Sequence, residues 1–248
     1  MTWKPQANKD LFLERLGLVS CYASYSGISD VVVTGKSEPT LDKDLLCHVL
    51  VEFGAFPTVL QTNGKLLLED GGYIEILHEV GLTTLAISID HPGQLYDFED
   101  VFRHVSDLGI IPRITVMLTP SVMQHNLSAW VRMSKELGIR QLTFRAITAP
   151  WTIAQTTEAT LTRDWIESNI DQGDVNDWWE NFQHTVSRYK VIRRLSYGAI
   201  IYDVDGVSVT YFKFCVQDSS DEDDVRSLIL NQDGHLYTTW DSPASVIF

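Results

Sequence analysis

The chain has 248 residues, 44% of them hydrophobic, and carries 19 Lys and Arg against 33 Asp and Glu for a net charge of −14, a length that allows one large α/β domain, or a domain with a small appendage, around a substantial core. The acidic balance opposes non-specific attraction to phosphate backbones and anionic lipid, so nucleic acid is not an expected partner. No apolar run reaches membrane-spanning length and the N-terminus lacks a signal-peptide core, which leaves a cytoplasmic protein without a membrane partner as the expectation.

In chain order, residues 8–25 place Leu11, Leu13, Leu16, Leu18 and Val19 among polar positions, predicting an amphipathic helix that ends at Gly27. Asp30-Val31-Val32-Val33-Thr34 reads as a buried strand. Gly35 then permits a sharp turn, and Pro39 marks the start of a helical pattern. Glu38 thus stands where a strand hands over to a helix, the end at which parallel α/β folds bind ligands. The pattern predicts a helix over Asp42–Phe53, a strand Thr58–Thr62 capped by Asn63-Gly64, and a helix over 72–80. A strand Thr83–Asp90 and a helix Phe98–Leu108 follow, then a strand Arg113–Leu118, a helix Leu127–Leu137 and a strand Gln141–Ile147. Strand starts recur about one βαβ unit apart, which predicts about five βα units of a parallel barrel or open parallel sheet.

Beyond Pro150 the rhythm changes. Residues 151–174 are polar and Thr-rich, and Val175–Tyr189 reads as a helix in which at least one of Trp178 and Trp179 is core, because adjacent helical positions face different ways. Two hairpins follow. One pairs Tyr197–Tyr202 with Val207–Phe214, and the other pairs Val225–Leu230 with His235–Thr239 around Asn231-Gln232-Asp233-Gly234. Two domains are expected: residues 1–150, the parallel βα part, and 151–248, an extension of helix plus antiparallel strands. The charge run Asp218–Asp224 reads as a solvated loop or as a cation or partner site.

Several of these residues together resemble the radical S-adenosylmethionine (SAM) superfamily, in the branch of molybdenum-cofactor biosynthesis and activase enzymes. Thr34-Gly35-Lys36-Ser37-Glu38-Pro39-Thr40-Leu41 resembles the glycine-glutamate-proline motif on that family's second strand. Thr62-Asn63-Gly64 is similar to the end of its third strand, Leu85–Asp90 to the fourth and Leu142–Arg145 to the sixth. The resemblance implies a partial parallel (β/α) barrel with a C-terminal helix and antiparallel strands. It also implies reductive cleavage of SAM with hydrogen abstraction from an unknown substrate. By the same resemblance, Thr34, Gly35, Lys36, Ser37, Glu38, Pro39 and Asn63 surround the SAM methionine, with Glu38 on its amino group. Ser88 and Asp90 face the ribose or carboxylate, and Arg145 meets the carboxylate or an anionic substrate. Each has a plainer reading: Glu38 as a helix cap, Ser88 and Asp90 as a strand-end turn, Arg145 as half of a structural ion pair.

The family also implies a [4Fe–4S] cluster on a C-x3-C-x2-C loop. This sequence has no such motif: Cys21, Cys47 and Cys215 are widely spaced and read as reduced thiols, so no metal ligand is assigned. The favoured expectation is a truncated or inactive form of a radical SAM enzyme that lacks the first strand and its cluster loop. The alternatives are a cluster-less SAM or nucleotide-binding module and an acidic protein-interaction domain. Gly35-Lys36-Ser37 is not a P-loop, since Asp30 occupies the position of the required first glycine.

Overall fold

The computed structural model describes residues 6–35, 37–147, 157–195, 199–212, 225, 227–240 and 242–248, with the side chains of 157–159 left out. Lys36, Cys215 and the acidic run 218–224 lie outside the described residues. In chain order the elements are α1 (Lys9–Tyr25), β1 (Val31–Val33), α2 (Lys43–Glu52), β2 (Thr58–Thr62), α3 (Lys65–Glu69), α4 (Gly72–Glu79) and β3 (Thr84–Ile89). Next come α5 (Gln94–Asp97), α6 (Glu99–Asp107), β4 (Ile111–Met117), α7 (Pro120–Met123), α8 (Leu127–Glu136) and β5 (Gln141–Arg145). The chain continues through α9 (Thr157–Asn169), α10 (Gln172–Val186), β6 (Lys190–Arg194), β7 (Ile200–Val204), β8 (Val207–Phe212), β9 (Ile229–Leu230) and β10 (Leu236–Tyr237). No helix of the described residues is long and apolar enough to cross a membrane.

The chain divides into two compact units, one of Met1–Ser29, Ala149–Trp165 and Gln217–Phe248, the other of Asp30–Thr148 and Ile166–Val216. In the first, Asn8 caps α1 by accepting from Leu11 N at 3.1 Å, and its own N–H donates to the carbonyl of Gln232 at 2.9 Å. Arg15 Nη1 donates to the Gly234 carbonyl at 3.1 Å. The β9–β10 hairpin is therefore fastened to α1 through its turn. Its other side receives the chain end, where Ile247 N donates to the Leu236 carbonyl at 2.7 Å.

The second unit is built on an eight-stranded sheet in the order β1-β2-β3-β4-β5-β8-β7-β6. β1 to β5 and β8 run parallel, and β7 and β6 close the far side antiparallel. Successive residues of a strand point to opposite faces, and the register sorts them cleanly. One row reads Ile87, Ile114, Leu142 and Val209, all fully buried. The next row reads Ser88, Thr115, Thr143 and Thr210. The row on the other side of the apolar one is polar but for the small Ala86 of β3, with Gln61, Arg113, Gln141 and Ser208, and Arg113 Nε donates to Gln141 Oε1 at 2.6 Å. The apolar face packs against helices: Phe144 meets Trp130 of α8 and Trp178 and Phe182 of α10 at ring separations of 6.1, 4.6 and 6.2 Å.

The helix–strand alternation from residue 8 to 147 follows the sequence expectation, and three features differ. The hairpin expected in a separate extension joins the main sheet, because β8 pairs in parallel with β5. The sequence Asp203-Val204-Asp205-Gly206 reads as the turn of this hairpin, and the turn observed is tighter. Only Asp205 (φ 53°) and Gly206 (φ 88°) are central, the left-handed pair that a two-residue hairpin turn requires. Lys190–Arg194, unassigned from sequence, forms β6, and part of the polar stretch 151–174 forms α9.

Candidate functional site

At the C-terminal ends of β1, β2 and β3 a cavity of about 270 Å³ is lined by Thr34, Gly35, Ser37, Glu38, Pro39, Gln61, Thr62, Asn63 and Ser88. Glu38 organises it. Its Oε1 accepts from Thr40 N at 3.1 Å, Thr40 Oγ1 at 2.7 Å and Thr62 Oγ1 at 2.6 Å. Among the described residues its Oε2 accepts only from Asn63 N, at 2.9 Å. A carboxylate offers about four acceptor sites, so Oε1 is saturated and Oε2 keeps room for one more donor. Burial pushes the carboxyl up, but the hydrogen bonds from the Asn63 N–H, Thr62 and Thr40 outweigh it and hold the group below its ordinary value.

Glu38 also caps the short 3-10 turn Pro39–Leu41, so the plainer reading of this residue is met as well. Oε1 serves both the cap and Thr62 of β2, while Oε2 meets Asn63 N beyond the β2 end. Behind them, Tyr73 OH donates to the Thr40 carbonyl at 3.2 Å, and burial pushes its hydroxyl up to about 12, so the donor stays protonated. Lys43 Nζ lies 4.5 Å from the centre of the Tyr73 ring.

Asn63-Gly64 fixes the other wall. Gly64 has φ +75°, and a Cβ there would lie 2.6 Å from the Phe98 ring. This lets Gly64 N donate to Thr62 Oγ1 at 2.9 Å while Thr62 donates on to Glu38. Gly35, expected to permit a sharp turn, is not in the left-handed region, and a Cβ there would meet only ordinary contacts from Ser37 at 3.7 and 3.9 Å.

Of the residues singled out from sequence, the structure brings Thr34, Gly35, Ser37, Glu38, Pro39, Asn63 and Ser88 to one cavity. Lys36 lies outside the described residues. Asp90 does not line the cavity: it is exposed, and its backbone closes a turn by accepting from Thr119 Oγ1 at 2.8 Å and donating to Gln94 Oε1 at 2.7 Å. Arg145 does not line it either. It sits on β5, two strands from β3 and so about 10 Å along the sheet, on the polar face that Ser88 shares. Its guanidinium carbon is 5.6 Å from the centre of the Phe212 ring, and its Nε is sealed from solvent with no partner among the described residues.

Gln61 and Thr62 complete the lining; Thr62 was named as part of the third-strand end but given no ligand contact, and Gln61 was not singled out. Gln61 lies one position short of the strand end, where only its place on the polar face gives it away. The side chains of Gln61 and Ser88 hydrogen-bond to nothing among the described residues. Glu38 is the one ionisable side chain described in this lining, so the cavity suits a ligand that brings a positive donor. A groove of about 350 Å³ lies toward the opposite ends of the strands, bounded by Arg132, Lys135, Tyr189 and Asp205, and has no such organising group.

No family model matches the chain, and no curated protein matches it. Among solved structures, that of Streptococcus suis SuiB shares 13% identity over 83% of this chain and 44% of SuiB, with a TM-score of 0.54. SuiB bound to S-adenosylmethionine gives 15% identity over 68% of this chain and 40% of that one at a TM-score of 0.47. SuiB bound to its precursor peptide SuiA gives 16% over the same shares at 0.45. The chain thus spans about two fifths of SuiB's length. Its fold is the partial (β/α) barrel of the radical SAM type.

Proposed function

We propose that this chain is a radical SAM-like protein whose strand-end cavity holds the methionine amino group of S-adenosylmethionine on Glu38. The observation that carries the reading is the open acceptor site of Glu38 Oε2 in a lining whose other described side chains are uncharged. An ammonium donor fits that site by charge and by hydrogen-bond count. Gln61 and Ser88, unbonded and on the polar face, supply further contacts for the ligand.

The residues described do not fit the iron–sulfur cluster that the resemblance implies. The sequence has no C-x3-C-x2-C segment, and no group of three or more His, Cys, Asp or Glu able to hold a metal occurs among the described residues. Reductive cleavage and hydrogen abstraction from the unknown substrate are therefore assigned to no residue of this chain. Anaerobic iron and sulfide reconstitution is expected to leave the protein colourless, and a stoichiometric brown cluster would overturn that assignment.

Titration calorimetry with SAM tests the binding role. Saturable binding is expected, weakened more than about tenfold by Glu38→Ala, the loss of one charge-assisted hydrogen bond. Ser88→Ala, which removes no bond within the described protein, gives a milder loss without threatening the fold. Absence of binding at millimolar SAM removes the proposal, and so does undiminished binding by a folded Glu38→Ala variant.

A further inference from the structure

The strand at the far side of the sheet is unlike the others. All five residues of β6, Lys190-Val191-Ile192-Arg193-Arg194, are exposed, so neither of its faces is packed. It pairs with β7 on one side only and ends the sheet, leaving a row of backbone donors and acceptors facing outward. Arg188, Lys190, Arg193 and Arg194 place four of the chain's 19 cations within seven residues, in a protein of net charge −14. None of the four forms an ion pair among the described residues. Asp203, opposite Lys190 in the ladder, instead accepts from Gly206 N at 2.9 Å.

The register adds a second observation. A bulge lies between Val191 and Arg193, so Lys190 pairs with Asp203 and Arg193 with Ile201. Asp203 and Ile201 are two apart on β7 and share a face. Lys190 and Arg193, three apart in sequence, are thereby brought side by side on one face, the re-aiming that a bulge provides. Arg194, opposite Ile200, points to the other face.

We propose that β6 is a docking edge for an extended acidic peptide segment of a partner protein, which adds to the sheet as a ninth strand. Main-chain hydrogen bonds to the open edge give such additions their affinity, and side chains at alternate positions give selectivity. A single lysine suffices to discourage edge pairing. A cluster of one sign does more, because it repels a second copy of β6 while attracting a strand with carboxylates at alternate positions. Nucleic acid uses none of the backbone ladder and meets the repulsion of the whole chain.

Fluorescence anisotropy of the full chain against a short labelled peptide of alternating Glu and Val tests this, beside a Lys and Val version, a Glu and Val version with a central proline, and an oligothymidine. Binding by the Glu and Val peptide alone is expected, weakened at least about tenfold by Lys190→Glu with Arg193→Glu. Lys190→Ala with Arg193→Ala, checked for an unchanged circular dichroism spectrum, gives a smaller loss in the same direction. No binding up to about 1 mM, the weakest range of specific association, overturns the proposal. Equal binding of the proline peptide also overturns it, since charge alone then suffices, and tighter binding of the oligothymidine overturns it in favour of nucleic acid.

Discussion

The sheet of the second unit ends in two different ways. At one end β1 is three residues long and the loop that follows it is held by side chains, with Glu38 reaching to Thr40 on one side and to Thr62 and Asn63 on the other. At the other end β6 is exposed along its whole length, and no side chain of it makes a hydrogen bond among the described residues. The first end is ordered by a polar network around one carboxylate, the second by a backbone ladder alone. Side-chain substitutions should therefore be costly at the first and nearly silent for stability at the second.

The largest effect is expected at Gly64. Gly64→Ala combines a left-handed backbone with a Cβ 2.6 Å from Phe98, and urea unfolding should show a loss of about 3 kcal/mol from strain plus overpacking. Gly35→Ala, in the opposite wall of the cavity, should stay within about 0.5 kcal/mol. Equal costs at both would place the strain in the wrong wall.

Glu38→Gln comes next. The amide can keep its oxygen toward Thr40 and Thr62, but its NH2 then faces the Asn63 N–H donor. The mismatch should cost about 1–3 kcal/mol near neutral pH. Because the folded carboxyl titrates below its ordinary value of 4.5, its stabilisation is fully present above that value and is lost as pH falls through the folded one. The gap between wild type and Glu38→Gln should accordingly shrink in acid, and a gap independent of pH would show that the carboxylate charge contributes nothing. Thr62→Val, which leaves the buried Gly64 N–H without its acceptor, should cost about 1 kcal/mol.

The parallel half was legible because each βα unit repeats the same signals, a β-branched run, a cap and a glycine stop. Asp42 and Asn126 cap α2 and α8 as those signals require, each accepting a backbone N–H at 3.1 and 2.9 Å. β6 was illegible because an edge strand with no packed face needs no apolar alternation, and Lys190–Arg194 has none. The pairing of β8 with β5 was equally hidden: a hairpin's local turn shows in sequence, while its choice of a third partner 67 positions away does not, as Ser208 beside Gln141 and Thr210 beside Thr143 illustrate. At the site, strand-end residues were found by position, and Gln61 was passed over because it lies inside its strand. Asp90 and Arg145 also sit at strand ends, yet a strand end alone does not decide which way a side chain is turned.

The smallest expected effect is at β6. Arg193→Ala and Arg194→Ala remove no hydrogen bond and no ion pair among the described residues, and exposed positions of this kind change stability by less than about 0.5 kcal/mol. Removing a cation from a cluster of like charges even relieves some repulsion, although screening keeps that gain small at physiological salt. Urea midpoints of both variants should therefore match wild type. A loss above about 1 kcal/mol would mean that the guanidinium groups hold structure at this edge, and the contrast between the two ends of the sheet would fail there. Matching midpoints together with weakened peptide binding would separate the two roles, folding and docking, at the same residues.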